Sequence, residues 1–296
     1  MKGYLKDKNV SMMLFIACWV LYTVSVLGRY TFTDAMVKMI SEKIFTESQA
    51  GFISGAFYIF YAISQIISGR LGDKYSPFAL MGLGVLISAF SNLLISFLSS
   101  YHDILILWCV NGFFQGMIWA PLIKLLSSVL CKEHRGLALF YISTTFYAGG
   151  LCTKAIAIYN FSQGSFRPIF KTSALILFIF FAIWVIVSII STKKLVYDGK
   201  QVQAESKGGG KFKNKDFKKA IISSGFLLMI VPSLVKSMGD VGLKSWGATM
   251  IKSTYGLTES FATLMSLIVV LAGFSVPFVT RLIYKVTKSD EVKTSL

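Results

Sequence analysis

The sequence predicts an all-α, polytopic membrane protein. Apolar residues make up 54% of the 296 residues and charged residues only 15%, where a soluble domain carries about 25% charged. Several apolar runs reach about 20 residues, the length that crosses the hydrocarbon core of a bilayer. Lysine and arginine gather in alternate loops.

Hydropathy and turn signals place spans near 11–37, 48–69, 78–98, 104–129, 136–159, 170–191, 220–250 and 259–281. The first run is too long, and too charged at its far end, to be a cleaved signal peptide. With the N-terminus inside, 20 of the 30 basic residues fall in inner loops and tails. Six fall outside: Lys38, Lys43, Lys154, Arg167, Lys171 and Lys252. That bias puts both termini on the cytoplasmic face of the cell membrane. The net charge of +16 therefore orients the chain in the lipid bilayer and marks no nucleic-acid partner.

Composition divides the chain into three parts. Residues 1–191 hold six closely spaced spans. Residues 192–219 are polar and lysine-rich, broken by Gly208, Gly209 and Gly210, and read as a flexible cytoplasmic linker along an anionic leaflet. Residues 220–296 hold two more spans.

The stretch Trp19–Met36, WVLYTVSVLGRYTFTDAM, carries the first functional candidate, Arg29. A full charge deep in a bilayer costs at least about 2.5 kcal/mol on insertion scales, so it must face a polar cavity or a partner. The alternative is an arginine that snorkels to the outer interface, which Lys38 and Lys43 mark. Cys18, Cys109, Cys131 and Cys152 share no C-x-x-C spacing, so neither a metal site nor a disulfide framework is indicated. His102 and His134 read as solvated loop residues. No cofactor motif occurs, and no HExxH, GxSxG or paired intramembrane histidines, so an integral membrane enzyme is not expected.

Two spacings repeat. Gly28-Arg29 in span one has a counterpart in Gly239-Asp240 in span seven, and the segment from Gly69 to Lys74 has one in Thr280 to Lys285. The offset within each half is the same, which suggests two halves related by duplication. A second half of that kind should contain six spans, where two are present, so the sequence reads as truncated after the eighth span.

GRLGDKYSP, residues 69–77, resembles the G-x-x-x-D-[RK] loop signature of the major facilitator superfamily. NGFFQGMIWAPLIK and EHRG, residues 111–124 and 133–136, resemble the fourth span of its organophosphate:phosphate antiporter branch, which includes glycerol-3-phosphate and hexose-phosphate transporters. The resemblance covers nearly the whole chain. It implies the major facilitator superfamily fold, with a complete N-terminal six-helix bundle and the first two helices of a C-terminal one. It also implies transport of a small anionic solute by alternating access, with Arg29 gripping the anion and phosphate or a proton as coupling ion. Tyr22 and Tyr61 match the family's cavity tyrosines, and Lys124 falls where a basic residue stands in span four. Gly69, Asp73, Lys74 and Arg135 would form a conformational latch, with Gly69 allowing close helix approach and Lys74 or Arg135 pairing with Asp73. Gly112 and Gly116 make a small-xxx-small face for helix packing.

Departures from the pattern limit what carries over. The family's second phosphate-gripping arginine falls at Asp240, its span-two lysine at Gln65, and its span-five histidine at Phe146. Asp240 has Lys236 and Lys244 one turn away on either side. It could pair with Arg29 until the solute arrives, carry a proton, leave anion binding to a lysine, or simply be neutralised within its own helix. Two other functions share the cavity: a membrane sensor of external sugar phosphate that does not transport, and an inactive truncated transporter.

Overall fold

The computed structural model describes residues 3–161, 164–197 and 226–286. Its helices are α1 (Lys8–Ser41), α2 (Glu47–Lys74), α3 (Pro77–Ile95), α4 (Tyr101–Lys124), α5 (Lys132–Tyr141), α6 (Thr145–Phe161), α7 (Arg167–Lys193), α8 (Phe226–Tyr255) and α9 (Glu259–Val286). Local chemistry sets the boundaries. Asp7 caps α1 by accepting from the amides of Asn9 and Val10. Thr46 and Gln49 form a reciprocal capping box at α2, and Pro77 opens α3 where no amide donor is needed.

Among the described residues, five stretches are each long and apolar enough to cross a membrane: α1, α2, α3, α4 with the π turn Leu125–Val129 that follows it, and α7. The fifth expected span is not one rod. α5 and α6 meet at a 3₁₀ turn, Ile142–Thr144, where Thr144 and Thr145 donate through their hydroxyls to the carbonyls of Tyr141 and Ile142. Such back-bonding competes with the helical ladder and bends it. Apolar side chains on α3 and α7, including Leu83, Phe90, Leu175, Ile179 and Ile186, are exposed. A continuous belt of that kind suits lipid, not water.

A two-stranded antiparallel sheet joins β1 (Gly3–Leu5) to β2 (Leu195–Tyr197). This corrects the expected linker: its first residues finish α7 and form β2, and 198–219 lies outside the described residues. The sheet defines the near end of the bundle. Toward it lies one apolar cluster, with Leu21, Met81, Val85, Ile118 and Trp184. Toward the far end lies a second, with Phe32, Met36, Phe57, Trp108 and Phe170. Between them runs a buried polar layer of Ser25, Ser88, Asn92, Asn111 and Gln115.

α4 lies tightly against α2. A Cβ at Gly112 would come 2.5 Å from the Phe57 carbonyl oxygen, and one at Gly116 would come 2.5 Å from that of Tyr61. Only glycine permits that approach. The small-residue face read from the sequence is the contact.

Candidate solute-binding site

The polar layer fixes the turn of α1 that precedes Arg29. Asn92 and Asn111 both donate through Nδ2 to the Gly28 carbonyl, at 3.1 and 3.2 Å. Gln115 Nε2 donates to the Ser25 carbonyl and to Ser88 Oγ, each at 2.8 Å. Gly28 itself has no room for a side chain, because a Cβ would meet Ser88 Oγ at 2.5 Å. Helices α3 and α4 thus grip α1 by its backbone and leave the Arg29 side chain to point elsewhere.

Arg29 is 7% exposed. Its Nη2 donates to the Tyr22 hydroxyl at 3.5 Å, and its guanidinium carbon lies 4.8 Å from the Tyr61 ring centroid and 5.9 Å from that of Phe146. Gln65 Nε2 donates to the Tyr61 hydroxyl at 3.1 Å. Tyr22 also packs on Trp119 and Phe146, with ring centroids 5.0 and 5.2 Å apart. The structure therefore brings Arg29, Tyr22, Tyr61 and Gln65 together. Among the described residues, no carboxylate lies within 4 Å of Arg29, and its Nε has no hydrogen-bond partner. A guanidinium has five donors in a fixed fork. Here ring faces and one long hydrogen bond meet it, which offsets only part of the cost of burying the charge.

Phe146 also lines a narrow cavity shared with Tyr30, Asp34, Tyr147, Lys154 and Lys244. Its volume is about 20 Å³, room for roughly one water. Lys154 Nζ bonds Asp34 Oδ1 at 2.9 Å and Ser266 Oγ of α9 at 2.8 Å. Both ion-pair partners are buried, so Lys154 is a cation inside the bundle and not the exposed outer-end residue expected. α6 runs about two turns beyond it, to Phe161. Sequence reasoning missed Asp34 altogether, although it stands five residues after Arg29 in the same apolar stretch. The Lys244 ammonium lies 5.1 Å from the Tyr147 ring centroid.

Lys124 is not beside Arg29. It lies nine residues beyond Gln115, about 13 Å along the helix, and donates to the Gly72 carbonyl at 2.8 Å, capping the end of α2. Arg135 donates to the carbonyls of Ser128 and Leu130, at 2.8 and 2.9 Å, and so closes the C-terminal end of the π turn. Lys74 sits over the Tyr75 ring. A Cβ at Gly69 would meet nothing within 4 Å, so the close approach expected there is not made among the described residues. The side chains of Asp73, Lys236 and Asp240 lie outside the described residues. Gly28 and Gly239, matched by the repeat, differ in packing: Gly28 is hemmed in, and a Cβ at Gly239 would meet nothing within 4 Å among the described residues. His134 is no loop residue, because it stands on α5 with Nδ1 3.0 Å from Ser11 Oγ. The four cysteines are free.

Fold and site together define a multi-pass helical membrane protein with a buried cation at its centre. The chain belongs to the Major Facilitator Superfamily, whose family model matches residues 18–290. A probable hexose phosphate transport protein of Chlamydia trachomatis is 32% identical over 139 residues, 47% of this chain and 30% of that protein. The membrane sensor protein UhpC of Salmonella typhimurium is 29% identical over 123 residues, 42% of this chain and 28% of that one. The glycerol-3-phosphate transporter of Bacillus subtilis is 27% identical over 161 residues, 51% of this chain and 36% of that one. The matches thus span about a third of each relative's own length. In fold, the chain is similar to a bacterial homologue of the human lysosomal transporter Spinster, crystallised inward-facing and unoccupied. The TM-score is 0.71 at 17% identity, over 96% of this chain and 64% of that one. A D-xylose–proton symporter gives 0.64 at 13% identity, over 94% and 70%.

Proposed function

We propose that this protein is a secondary transporter of a small organic anion, of the phosphate-ester kind, working by alternating access with Arg29 as the anion-gripping residue. One observation carries the reading: a guanidinium buried at the centre of the bundle, facing Tyr22 and Tyr61, with no carboxylate beside it among the described residues. A fork of N–H donors matches phosphate oxygens in pairs, which an ammonium cannot do. Relatives named as hexose phosphate and glycerol-3-phosphate transporters support that class of solute. Tyr22, Tyr61 and Gln65 line the site with it. Lys236 and Asp240 would join it from α8.

Gly69, Asp73, Lys74 and Arg135 act at the near end as a conformational latch, and Lys124, at the Gly72 carbonyl, works with them. The near end is cytoplasmic in this reading, with phosphate or a proton as coupling ion. Pairing of β1 with β2 supports a shared side for the N-terminus and the linker. The test is uptake of labelled glycerol 3-phosphate and glucose 6-phosphate into proteoliposomes: the wild-type chain should accumulate one of them, and the Arg29→Ala variant neither.

The UhpC relatives favour a second reading, a sensor that binds sugar phosphate without moving it. Counterflow separates the two. A sensor would bind the labelled solute yet show no exchange across the vesicle wall.

A further inference from the structure

We propose that Lys154 is a second cation for the solute's anionic group, masked by Asp34 until the solute arrives, and that its release opens the contact between α6 and α9. The proposal rests on the reading of Arg29 as an anion-binding residue, and it narrows the solute to one carrying a dianionic group.

The geometry supplies the first argument. Phe146 lies 5.9 Å from the Arg29 guanidinium carbon and also lines the cavity that holds Lys154. An anionic group that turned this ring aside would reach Arg29 first and draw Lys154, eight residues further along α6, toward it. A phosphate monoester carries between one and two negative charges near neutral pH, so one arginine leaves it under-neutralised and a second cation completes the match.

The second argument concerns what the ion pair is for. Asp34 and Lys154 are 3% and 5% exposed. A buried ion pair is a poor way to stabilise a bundle, because desolvation offsets its attraction and apolar residues of like volume often do better. Ionisable residues inside membrane spans mark solute and ion paths instead. Asp34 offers a single carboxylate in competition with the solute. A dianion displaces it more readily than a monocarboxylate does.

The third argument links the pair to motion. Lys154 is shared between two partners, Asp34 on α1 and Ser266 on α9. The same seam continues through Gly150, whose Cβ would contact Val270, and through Tyr147, which lies against Gly273. With room for about one water, the cavity admits a sugar phosphate only if that seam parts. Drawing Lys154 toward the solute removes its bond to Ser266. Binding therefore weakens the contact that must open, which is the differential interaction a conformational change requires.

The test is calorimetric binding of inorganic phosphate, glycerol 3-phosphate and lactate to the full chain in nanodiscs. Lys154→Gln should weaken both phosphate compounds about tenfold or more and leave lactate nearly unchanged, and Asp34→Asn should tighten phosphate about threefold. The double variant Asp34→Asn/Lys154→Gln removes both charges of this pair and so strands neither, which keeps the test open where a single variant fails to fold, and it should bind phosphate as poorly as Lys154→Gln. A double variant that binds both phosphate compounds like the wild type overturns the proposal, as does an Asp34→Asn variant that loses as much affinity as Lys154→Gln. Arg29→Ala separates the two levels: retained phosphate binding there removes the anion site itself. Loss in Arg29→Ala with none in Lys154→Gln removes only the second cation. A wild-type chain that binds neither phosphate compound sinks both.

Discussion

The side-chain amide of Asn111, on α4, donates to the backbone carbonyl of Gly28 at 3.2 Å, one residue before Arg29 on α1. The buried cation is thus placed through the backbone of the residue before it. Asn111→Ala leaves Asn92 as the remaining side-chain donor to that carbonyl. The expected outcome is a stability loss of about 1 kcal/mol and a raised KM for uptake, with transport still measurable. An unchanged KM would mean that the grip on Gly28 does not set the position of Arg29.

Tyr61 contributes its ring face to Arg29 and its hydroxyl to Gln65. A desolvated cation–π contact is worth about 2 kcal/mol, near thirtyfold in affinity. Tyr61→Phe keeps the ring and should bind solute within a few-fold of wild type, whereas Tyr61→Leu should lose about ten- to thirtyfold. Equal loss in the two variants would shift the role to the hydroxyl.

Glycines in and out of contact make a paired prediction on stability. Gly112→Ala drives a Cβ into the Phe57 carbonyl, and overpacking of that kind costs about 1–3 kcal/mol. Gly69→Ala meets open space and should not lower stability. Thermal unfolding in detergent, followed by tryptophan fluorescence, reads both. A Gly112→Ala chain as stable as wild type would contradict the α2–α4 packing described.

Lys124 gives a kinetic prediction. Because its ammonium caps α2 at Gly72, about 13 Å along α4 from the level of Gln115, Lys124→Gln should lower the maximal rate of uptake and leave solute affinity unchanged. Lost affinity with a normal maximal rate would return Lys124 to the binding site, where the family resemblance put it.

The membrane class, the all-α fold and the role of Gly112 and Gly116 were legible in the sequence, because hydropathy and small-residue spacing act locally. Arg29 stood out for the same reason, as a lone cation amid apolar neighbours. Asp34 did not, although it lies in the same stretch. Lys154 was assigned to an outer end because span five was read as ending near residue 159, with the lysine close to that end. Asp34 and Lys154 each lie about two turns from the far ends of their helices, so opposite charges at matching depth were the available signal. The bend at Thr144 and Thr145 was hidden by a continuous apolar pattern, and the β1–β2 pairing by the brevity of its strands within lysine-rich sequence.

Equilibrium binding of labelled glycerol 3-phosphate or glucose 6-phosphate to the purified chain, wild type against Arg29→Ala, tests the central claim most directly. The account predicts saturable binding of at least one ester by the wild type and a loss of about a hundredfold or more in the variant, as expected when a charge-assisted bidentate contact is removed. Equal affinity in the two, with both chains folded, would contradict it.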